Sequence, residues 1–555
     1  MIKYIQNRAS GIGHRASGIG HRASGIGHRA SGIVNFDDLI FLVICRNQIV
    51  KTTNFHSSFN TLVFSVSWST LKIVSLVICF CLWMFNTPIV DALTAKTSST
   101  IRGSSPFILF NGINDNLLTI KIGNDVYLSD PAGNMMKLNE NGNWDRVQAI
   151  YFNNPGDTFK SVQTIVTPDT VNYTLGTNLA QDIDGDGDFT ISGAINANWQ
   201  DKNGLQLQAS DLNELPSKCF APYKLTITID SNDGVQLKTA FGIPNQKTYV
   251  KDSAVYYIYP HDTQPYACYA RPGSMENSTG IFAGPINMWD TSKGFITQSG
   301  LSRNYNQNFP TLAGNGVYFD LLITNGMDNL NWPTVKVGDI TATVSNITKD
   351  SVRVTLNGPA PTSSEHGATA RKPSVLPANF KIQGNLNGVK VVEYGFELQK
   401  WFVVRDKDKL ETSAGQANWC FALDGQPGRQ ETITAQEYRL PDPVDFTTAS
   451  GSFMFEGVTR YISGLNNPNI HTTTDGGRYW RHINGGVFSE WGNLTNYGLN
   501  VNLDNYYWTG RRLQQKTIDD WDYLVVRPRD GNISAQLGQT IIYSTFCFTP
   551  DWMDW

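Results

Sequence analysis

From residue 96 onward, apolar and polar residues alternate over short runs, as they do in strands that bury one face. Turn-forming pairs such as Asn315-Gly316 and Asn325-Gly326 separate these runs. Regular turns of this kind favour antiparallel sandwich-type sheets over a parallel α/β fold, so the pattern predicts a mainly β chain. The clearest predicted strands are 224–230, 255–259, 317–324, 339–344 and 351–356.

Near the N-terminus, Ile73–Phe85 (IVSLVICFCLWMF) is a continuous apolar run, preceded by Lys72 and followed by small residues up to Ala92. A helix that spans a bilayer needs about 20 apolar residues, so this run is too short. Its layout predicts a secretory signal peptide over residues 71–92, with cleavage after Ala92. A buried helix is the alternative, but the run lacks a helical pattern.

The residues before this run are dominated by a repeat. The heptapeptide RASGIGH occurs three times between Arg8 and His28, and a fourth copy stops after Ile33. It has no apolar periodicity on which to fold, and its period is far below that of structural repeats. We therefore expect residues 1–70 to be disordered or not translated. The alternative, a membrane-associated stretch at 39–45, is too short to span a bilayer.

One compositional break divides the rest of the chain. Residues 359–378 contain the string PAPTSSEHGATARKPSVLP, which is rich in Pro, Ser, Ala and Thr and holds no predicted strand. This composition is typical of a linker. It predicts a β-rich region of one or two domains at 96–358 and a separate C-terminal domain at 379–555.

The composition agrees with a β-rich globular chain. The sequence holds 14 Trp, 22 Tyr and 28 Phe with 49 Gly, a mixture that favours strands and turns over helices. Residues 1–92 contain eight of the 44 basic residues but only three of the 48 acidic ones, so the remainder is acidic. Neutralising phosphates requires a basic face, which argues against nucleic acid as a partner.

Four cysteines lie beyond the predicted signal peptide: Cys219, Cys268, Cys420 and Cys547. Their wide spacing, without a CxxC pair or a neighbouring histidine, fits two disulfides better than a zinc site, whose ligands are clustered. Free buried thiols in a cytosolic protein are the alternative. Disulfides agree with the predicted export, because they persist in oxidising compartments.

An acidic ladder is the one candidate metal site. Asp182, Asp184, Asp186 and Asp188 alternate with Ile and Gly, and carboxylates on a tight loop are suited to calcium. An EF-hand-type loop also needs a bidentate Glu at position twelve, where this chain has Gly193. Calcium is therefore the one cofactor that the sequence suggests, and the alternative is that the four aspartates lie on a solvated hairpin.

Catalytic motifs are missing from the sequence. It contains no GxSxG, no HExxH and no P-loop, and no GxGxxG follows a predicted strand. Beyond the signal peptide there are four histidines, none with a second histidine at metal-binding spacing: His261, His366, His471 and His482. We therefore assign no catalytic residue and expect no enzymatic activity. A distant pair of carboxylates for glycoside hydrolysis stays open.

The C-terminal domain carries an ordered set of short elements: Asn418-Trp419-Cys420, Tyr438-Arg439-Leu440-Pro441, Tyr506-Tyr507-Trp508-Thr509, the predicted strand Tyr523–Arg527 and the final Cys547. This set resembles the C-type-lectin-like fold, an α+β fold in which a final cysteine closes a long loop back to the WC element. The resemblance implies a disulfide between Cys420 and Cys547.

The calcium-dependent sugar site of that fold is not matched. Its sugar-binding members use an EPN or QPD tripeptide and a WND tripeptide. The nearest strings here are Gln426-Pro427-Gly428, which lacks the third ligand, and Trp521-Asp522-Tyr523, which has no Asn. Sugar recognition, if it occurs, would then depend on aromatic stacking and polar loops.

A broader resemblance extends over most of residues 96–548. Gly314-Asn315-Gly316-Val317-Tyr318-Phe319-Asp320 and Trp332-Pro333-Thr334-Val335-Lys336-Val337-Gly338, together with the WC, RLP and YWT elements, resemble adhesion domains of enterobacterial intimin- and invasin-like surface proteins. The resemblance implies a surface or secreted adhesin involved in virulence, which binds a host-cell protein or glycan through its C-terminal domain. Such adhesins often carry an outer-membrane barrel and immunoglobulin-like repeats upstream, and neither is recognised in this sequence. We therefore expect the chain to be secreted freely or to dock on an outer-membrane partner.

Two tryptophans are the candidate receptor-binding residues. Trp491 and Trp521 lie in polar contexts (SEWGN and DDWDY), which favours exposure, whereas Trp480 and Trp508 are expected in the core. Two other functions stay open: a secreted carbohydrate-active enzyme, and a structural surface or fibre component without a specific receptor.

Overall fold

The structure is a computed structural model. It describes residues 105–110, 112–130, 132–166, 179–181, 189–229, 233–240, 243–423, 437–455, 458–463, 477–517 and 520–549, with the backbone alone at 451–455, 458–463, 513–517 and 520–521. The predicted leader, the predicted signal peptide, the acidic ladder Asp182 to Asp188 and the Gln426-Pro427-Gly428 string lie outside the described residues.

The first part of the described chain consists of short strands. They are β1 Phe107–Phe110, β2 Ile113–Asn114, β3 Ile120–Ile122, β4 Asp125–Ser129, β5 Met135–Leu138, β6 Trp144–Val147, β7 Ile150–Tyr151, β8 Val162–Gln163, β9 Ala180–Gln181, β10 Thr190–Ser192, β11 Ile195–Gln200, β12 Tyr223–Ile229, β13 Val235–Lys238, β14 Gln246–Tyr249 and β15 Asp252–Tyr259.

The second part adds longer strands: β16 Tyr266–Pro272, β17 Trp289–Asp290, β18 Gly294–Ile296, β19 Leu312–Gly314, β20 Tyr318–Thr324, β21 Val335–Val337, β22 Ile340–Ser345, β23 Ser351–Asn357, β24 Ala378–Leu386, β25 Val389–Leu398, β26 Lys400–Val404, β27 Ser450–Phe455, β28 Val458–Ser463, β29 Tyr507–Thr517, β30 Asp520–Val526, β31 Ile533–Leu537 and β32 Ser544–Phe548. Its α-helices in the described residues are α1 Ser413–Ala422, α2 Pro443–Phe446 and α3 Val487–Trp491. Short 3-10 turns lie at Phe159–Ser161, Ala209–Asn213, Lys218–Phe220, Gly280–Phe282, Ser302–Gln307 and Leu494–Tyr497.

The first hydrophobic core lies between small, mostly antiparallel sheets. Among the described residues these are β6-β5-β4-β3-β8, β11-β12-β15-β7, β10-β13-β14 and β2-β1-β9. Strand β12 reads YKLTITI and buries every second side chain from Tyr223 to Ile229, as its alternating pattern predicts. The prediction of a mainly β chain with antiparallel sandwich-type sheets is confirmed.

The second core packs around two larger sheets. In the described chain their orders are β17-β18-β16-β20-β23-β22-β21 and β19-β26-β32-β29-β30-β31, with the β24-β25 hairpin packed on the same core. Strand β19 belongs to the predicted N-terminal region, yet it pairs in parallel with β26 of the predicted C-terminal domain. One core therefore draws side chains from both sides of residues 359–378.

Residues 359–378 differ from the predicted linker because they are packed along this core. Ala368 and Ala370 are only 3% and 5% exposed. The Ala370 amide donates to the Leu423 carbonyl at 2.8 Å, and the Trp401 indole donates to the Pro359 carbonyl at 2.8 Å. The composition of a segment indicates how flexible its backbone would be in isolation. Here contacts with the rest of the chain order the segment, because its small side chains pack closely.

Two disulfides connect distant parts of the chain. Cys219, in a 3-10 turn of the first core, is bonded to Cys268 on β16, and Cys420 on α1 is bonded to Cys547 on β32. Each pair has a Cα–Cα distance of 5.5 Å. The first bond fastens the first core to the seven-stranded sheet, and the second fastens α1 to the six-stranded sheet. Within the described ranges, none of the helices has the length and apolar composition needed to span a bilayer.

Candidate functional site

The buried helix α3 corrects one sequence prediction. Trp491 was predicted to be an exposed receptor-binding residue, but its side chain is 0% exposed. Its indole Nε1 donates to the Leu312 carbonyl at 2.9 Å, and its ring lies 4.8 Å from that of Phe309, measured between centroids. The polar neighbours of Trp491 suggested a surface loop, whereas every residue of α3 is buried.

Glu490 of the same helix is a buried carboxyl group without a basic side chain among its hydrogen-bond partners. It accepts from the backbone and the hydroxyl of Thr311 and from the Asn484 amide. Burial raises the pKa of Glu490 to about 7, although these hydrogen bonds favour the charged form. Through its bonds to Thr311, the Glu490 carboxyl group connects α3 to the residue just before β19.

Arg481 fixes the loop that leads from β16 toward β17. Its guanidinium is fully buried and donates to the carbonyls of Ser274, Glu276 and Asn277 at 2.8, 2.6 and 3.2 Å. A fourth bond reaches the Glu490 carbonyl at 3.2 Å. Because a planar guanidinium holds its acceptors in fixed directions, this loop has a defined conformation beside the turn between β30 and β31.

This loop borders a surface cleft of about 250 Å³, which we call the C-terminal cleft. Its walls come from the loop, the chain before Arg481, the chain after α3 and the turn between β30 and β31. The lining residues are Glu276, Asn277, Phe282, Arg478, Tyr479, Asn493, Leu503, Pro528, Arg529 and Asp530.

An aromatic pair forms part of the apolar lining of the cleft. The rings of Phe282 and Tyr479 meet edge to face with centroids 5.3 Å apart, and Tyr479 is buried. The Arg478 guanidinium lies over the Phe282 ring at 5.8 Å. Asn277 joins the walls, because its side chain donates to the Tyr479 hydroxyl at 3.3 Å and to the Arg529 carbonyl at 2.8 Å.

The rim of the cleft carries both signs of charge. Arg529 makes a two-point ion pair with Asp504, one bond of which measures 2.8 Å, and both side chains are exposed. Hydrogen bonding to Arg529 lowers the pKa of Asp504. On the opposite wall, Glu276 accepts from the side chains of Asn493 and Asn496 at 2.8 and 3.2 Å.

Two isoleucines project from the same loop. Ile281 is 42% exposed and immediately precedes Phe282 of the cleft, and Ile286 is 93% exposed. The backbone of the loop is fixed nearby, since the Arg481 amide donates to the Phe282 carbonyl at 2.9 Å. Apolar side chains held out from an ordered loop next to a polar cleft are a common arrangement at protein–protein contact sites.

Comparisons with known proteins add distant likenesses. No protein-family model matches the chain, and no curated protein matches it either. Among solved structures, the chain is similar to invasin, described as a bacterial integrin-binding protein, with 14% identity and a TM-score of 0.26. That match covers 69% of this chain, which spans 57% of the invasin chain.

A second likeness is to SGBP-B of a Bacteroides ovatus mixed-linkage glucan utilization locus, solved with a mixed-linkage heptasaccharide. It has 10% identity and a TM-score of 0.13, and it covers 50% of this chain and 82% of that chain. Neither TM-score is high enough to establish a shared fold.

Most of the other candidate residues lie outside the described part of the chain. Trp521 lies in β30, and its side chain is outside the described part of the chain, as are the four ladder aspartates and His471. In the described ranges, no group of three or more His, Cys, Asp or Glu side chains is arranged to hold a metal ion. Calcium binding and the lack of enzymatic activity stay predictions.

The cleft residues were missed from the sequence. Its walls come from four segments that are far apart along the chain, and none of them contains a motif. The one local indication is the loop 279–288 (TGIFAGPINM), in which apolar residues stand among Gly, Pro and Asn. In a turn-forming context, apolar residues have no strand or helix face to bury, and this combination predicts an exposed apolar loop.

Proposed function

We propose that this protein is an exported adhesin that binds a protein receptor on a host or neighbouring cell through the C-terminal cleft and its loop. The observation that carries the proposal is one loop that lines the charged cleft with Phe282 and exposes two apolar side chains, Ile281 and Ile286. Apolar anchors surrounded by polar groups supply most of the affinity in protein interfaces.

Export is supported by the disulfides. Cys219 with Cys268 and Cys420 with Cys547 form two long-range bonds, which persist in extracellular compartments. The predicted signal peptide at 71–92 would direct the chain out of the cytoplasm. Outside it, the protein is either secreted freely or held at the cell surface by an outer-membrane partner protein.

The C-terminal half is proposed to be a lectin-like domain that binds without calcium and without catalysis. Its WC, YWT and final-cysteine elements meet in one place, because Cys420 is bonded to Cys547 and Trp508 pairs with the neighbouring Thr545 in parallel strands. The binding unit also includes the chain before residue 379, since the second core and the C-terminal cleft both use residues from that region.

The proposal is tested by probing arrays of host-cell surface proteins and of glycans with the full chain. We expect at least one protein to bind, and we expect Ile286→Ser and Arg529→Ala each to weaken that binding about tenfold or more. Val250→Ser is the matched control, because Val250 is 70% exposed and lies in the first part of the chain.

Three outcomes would overturn the proposal: no protein ligand on the array, binding of glycans alone, or protein binding that both cleft variants leave intact. A structural fibre component predicts the first of these. An enzyme predicts turnover of an array ligand, which is checked by mass spectrometry of the glycans after incubation.

A further inference from the structure

The outer face of the sheet β11-β12-β15-β7 is open, and it differs in chemistry from the C-terminal cleft. The alternating pattern of each strand buries one set of side chains in the first core and leaves the other set half-buried or exposed. The outward set is almost entirely amide, hydroxyl and phenol, with one charged member, Lys224. Its members are Tyr151, Asn196, Asn198, Gln200, Lys224, Thr226, Thr228, Ser253, Val255, Tyr257 and Tyr259.

Three tyrosines form an aromatic strip at one side of this face. Tyr259 on β15 is the cross-strand partner of Tyr151 on β7, and their ring centroids are 5.6 Å apart. Tyr257 lies two residues earlier on β15 and therefore points to the same side of the sheet. Tyr151 and Tyr257 are 38% and 44% exposed, so both present ring surface to solvent.

Hydrogen-bonding groups continue from these rings across the sheet. Lys224 is the cross-strand partner of both Tyr257 and Gln200, and the next row pairs Thr226 with Asn198. Because opposed residues in antiparallel strands lie side by side, these rows form a continuous surface. The surface is polar but carries little charge.

The polar surface extends beyond β11 to a groove of about 560 Å³. Gln206, opposite Gln200, donates from its side chain to Asn198 at 3.4 Å, and it also lines the groove. The remaining lining residues contribute both apolar and polar atoms: Leu205, Gln208, Ala209, Ser210 and Arg303. Aromatic strip, polar rows and groove thus follow one another across the sheet.

We propose that this face, from the tyrosine strip to the groove, binds an extended neutral polysaccharide. Sugar rings present C–H groups that pack on tyrosine rings, and their hydroxyls pair with amides and hydroxyls such as those of Asn198 and Thr226. A polyanion would need several basic side chains, but the outward set has Lys224 alone, and Arg303 in the groove is paired with Asp211 at 3.0 Å. A protein ligand would need a larger apolar centre, and Val255 is the only aliphatic side chain in the outward set.

The test is affinity electrophoresis of the full chain through gels that contain soluble β-glucan, dextran or xylan, with heparin and polygalacturonate as anionic probes. We expect retardation by at least one neutral polymer, and we expect Tyr257→Ala and Tyr151→Ala each to weaken it about tenfold. Tyr257→Phe keeps the ring and retains binding. Ile286→Ser, which tests the C-terminal cleft, leaves this binding unchanged, so the two proposals fail separately.

Retardation by none of the neutral polymers, or by the anionic ones alone, overturns the proposal. Retardation that persists in both alanine variants also overturns it. Should Tyr257→Ala lower the melting temperature, Thr226→Glu decides instead, because it leaves all three rings in place and puts a charge on the polar rows. Unchanged binding in Thr226→Glu would then count against this surface.

Discussion

The indole of Trp491 donates a hydrogen bond to the carbonyl of Leu312, at 2.9 Å, across 179 positions of sequence. This bond ties the last residue of α3 to the first residue of β19, the strand that pairs with β26. The predicted N-terminal region and C-terminal domain are therefore joined by a buried hydrogen bond and a parallel strand pair as well as by a shared core. The C-terminal cleft that we propose as the adhesive surface also draws its walls from both regions.

Trp491→Phe is expected to lower the free energy of unfolding by about 1–3 kcal/mol, because it removes the bond to Leu312 and leaves part of the indole volume empty. Urea unfolding followed by circular dichroism measures the change. Receptor binding by the folded variant is expected to match that of the unchanged chain. Loss of binding with full stability would instead show that Trp491 is exposed to the receptor.

Glu490 is expected to make the protein less stable as the pH rises. Its pKa is about 7 in the folded chain and the ordinary value is 4.5, so above pH 4.5 the unfolded chain releases a proton that the folded chain keeps. The loss grows through about pH 7 and reaches about 3 kcal/mol. Unfolding curves of the unchanged chain and Glu490→Gln at pH 5 and pH 8 isolate this difference.

The control for that comparison is Glu397→Gln, which should follow the unchanged chain at both pH values because Glu397 is partly exposed. The same pH dependence in the unchanged chain and in Glu490→Gln would contradict the raised pKa of Glu490.

Asp445 is expected to contribute strongly to stability. It is fully buried and pairs with Lys400 at 2.6 Å and with Arg439 at 2.8 Å. Although burial favours its protonated form, Arg439 and Lys400 lower its pKa, so its contribution is present at neutral pH and is lost as the pH falls through that lowered value. Asp445→Asn should cost about 3–5 kcal/mol by urea unfolding at pH 7.

Asp504→Asn is the matched control, because Asp504 pairs with Arg529 in solvent and its loss should leave the unfolding curve in place. Equal effects of the two substitutions would contradict the burial of the Asp445 pairs.

The two disulfides are expected to differ modestly in their contribution to the free energy of unfolding. Replacing Cys420 and Cys547 by alanine opens a loop of 127 positions and should cost about 5 kcal/mol, against about 4 kcal/mol for Cys219 and Cys268, whose separation is 49. Urea unfolding of the two double variants measures both costs. Peptide mapping of the unchanged chain under non-reducing conditions checks the pairing, and free thiols at these four positions would contradict the proposed export.

The sequence by itself determined much of the local structure and indicated two disulfides. The alternation in Tyr223–Ile229 predicts a half-buried strand, because side chains of a strand point to opposite faces and only one face meets the core. The four widely spaced cysteines indicated two disulfides, because their spacing fits disulfides better than a zinc site with clustered ligands, and the structure shows both bonds.

Only the tertiary structure decided which side chains meet across long distances. It buried Trp491 in spite of its polar neighbours, packed Ala368 and Ala370 where composition indicated a linker, and assembled the C-terminal cleft from four separate segments. Burial is a property of what packs against a residue, and for these positions the partners lie far away in the sequence. The local pattern of residues indicates which secondary structure a segment prefers. Contacts between distant segments decide which side chains are buried and where the clefts lie.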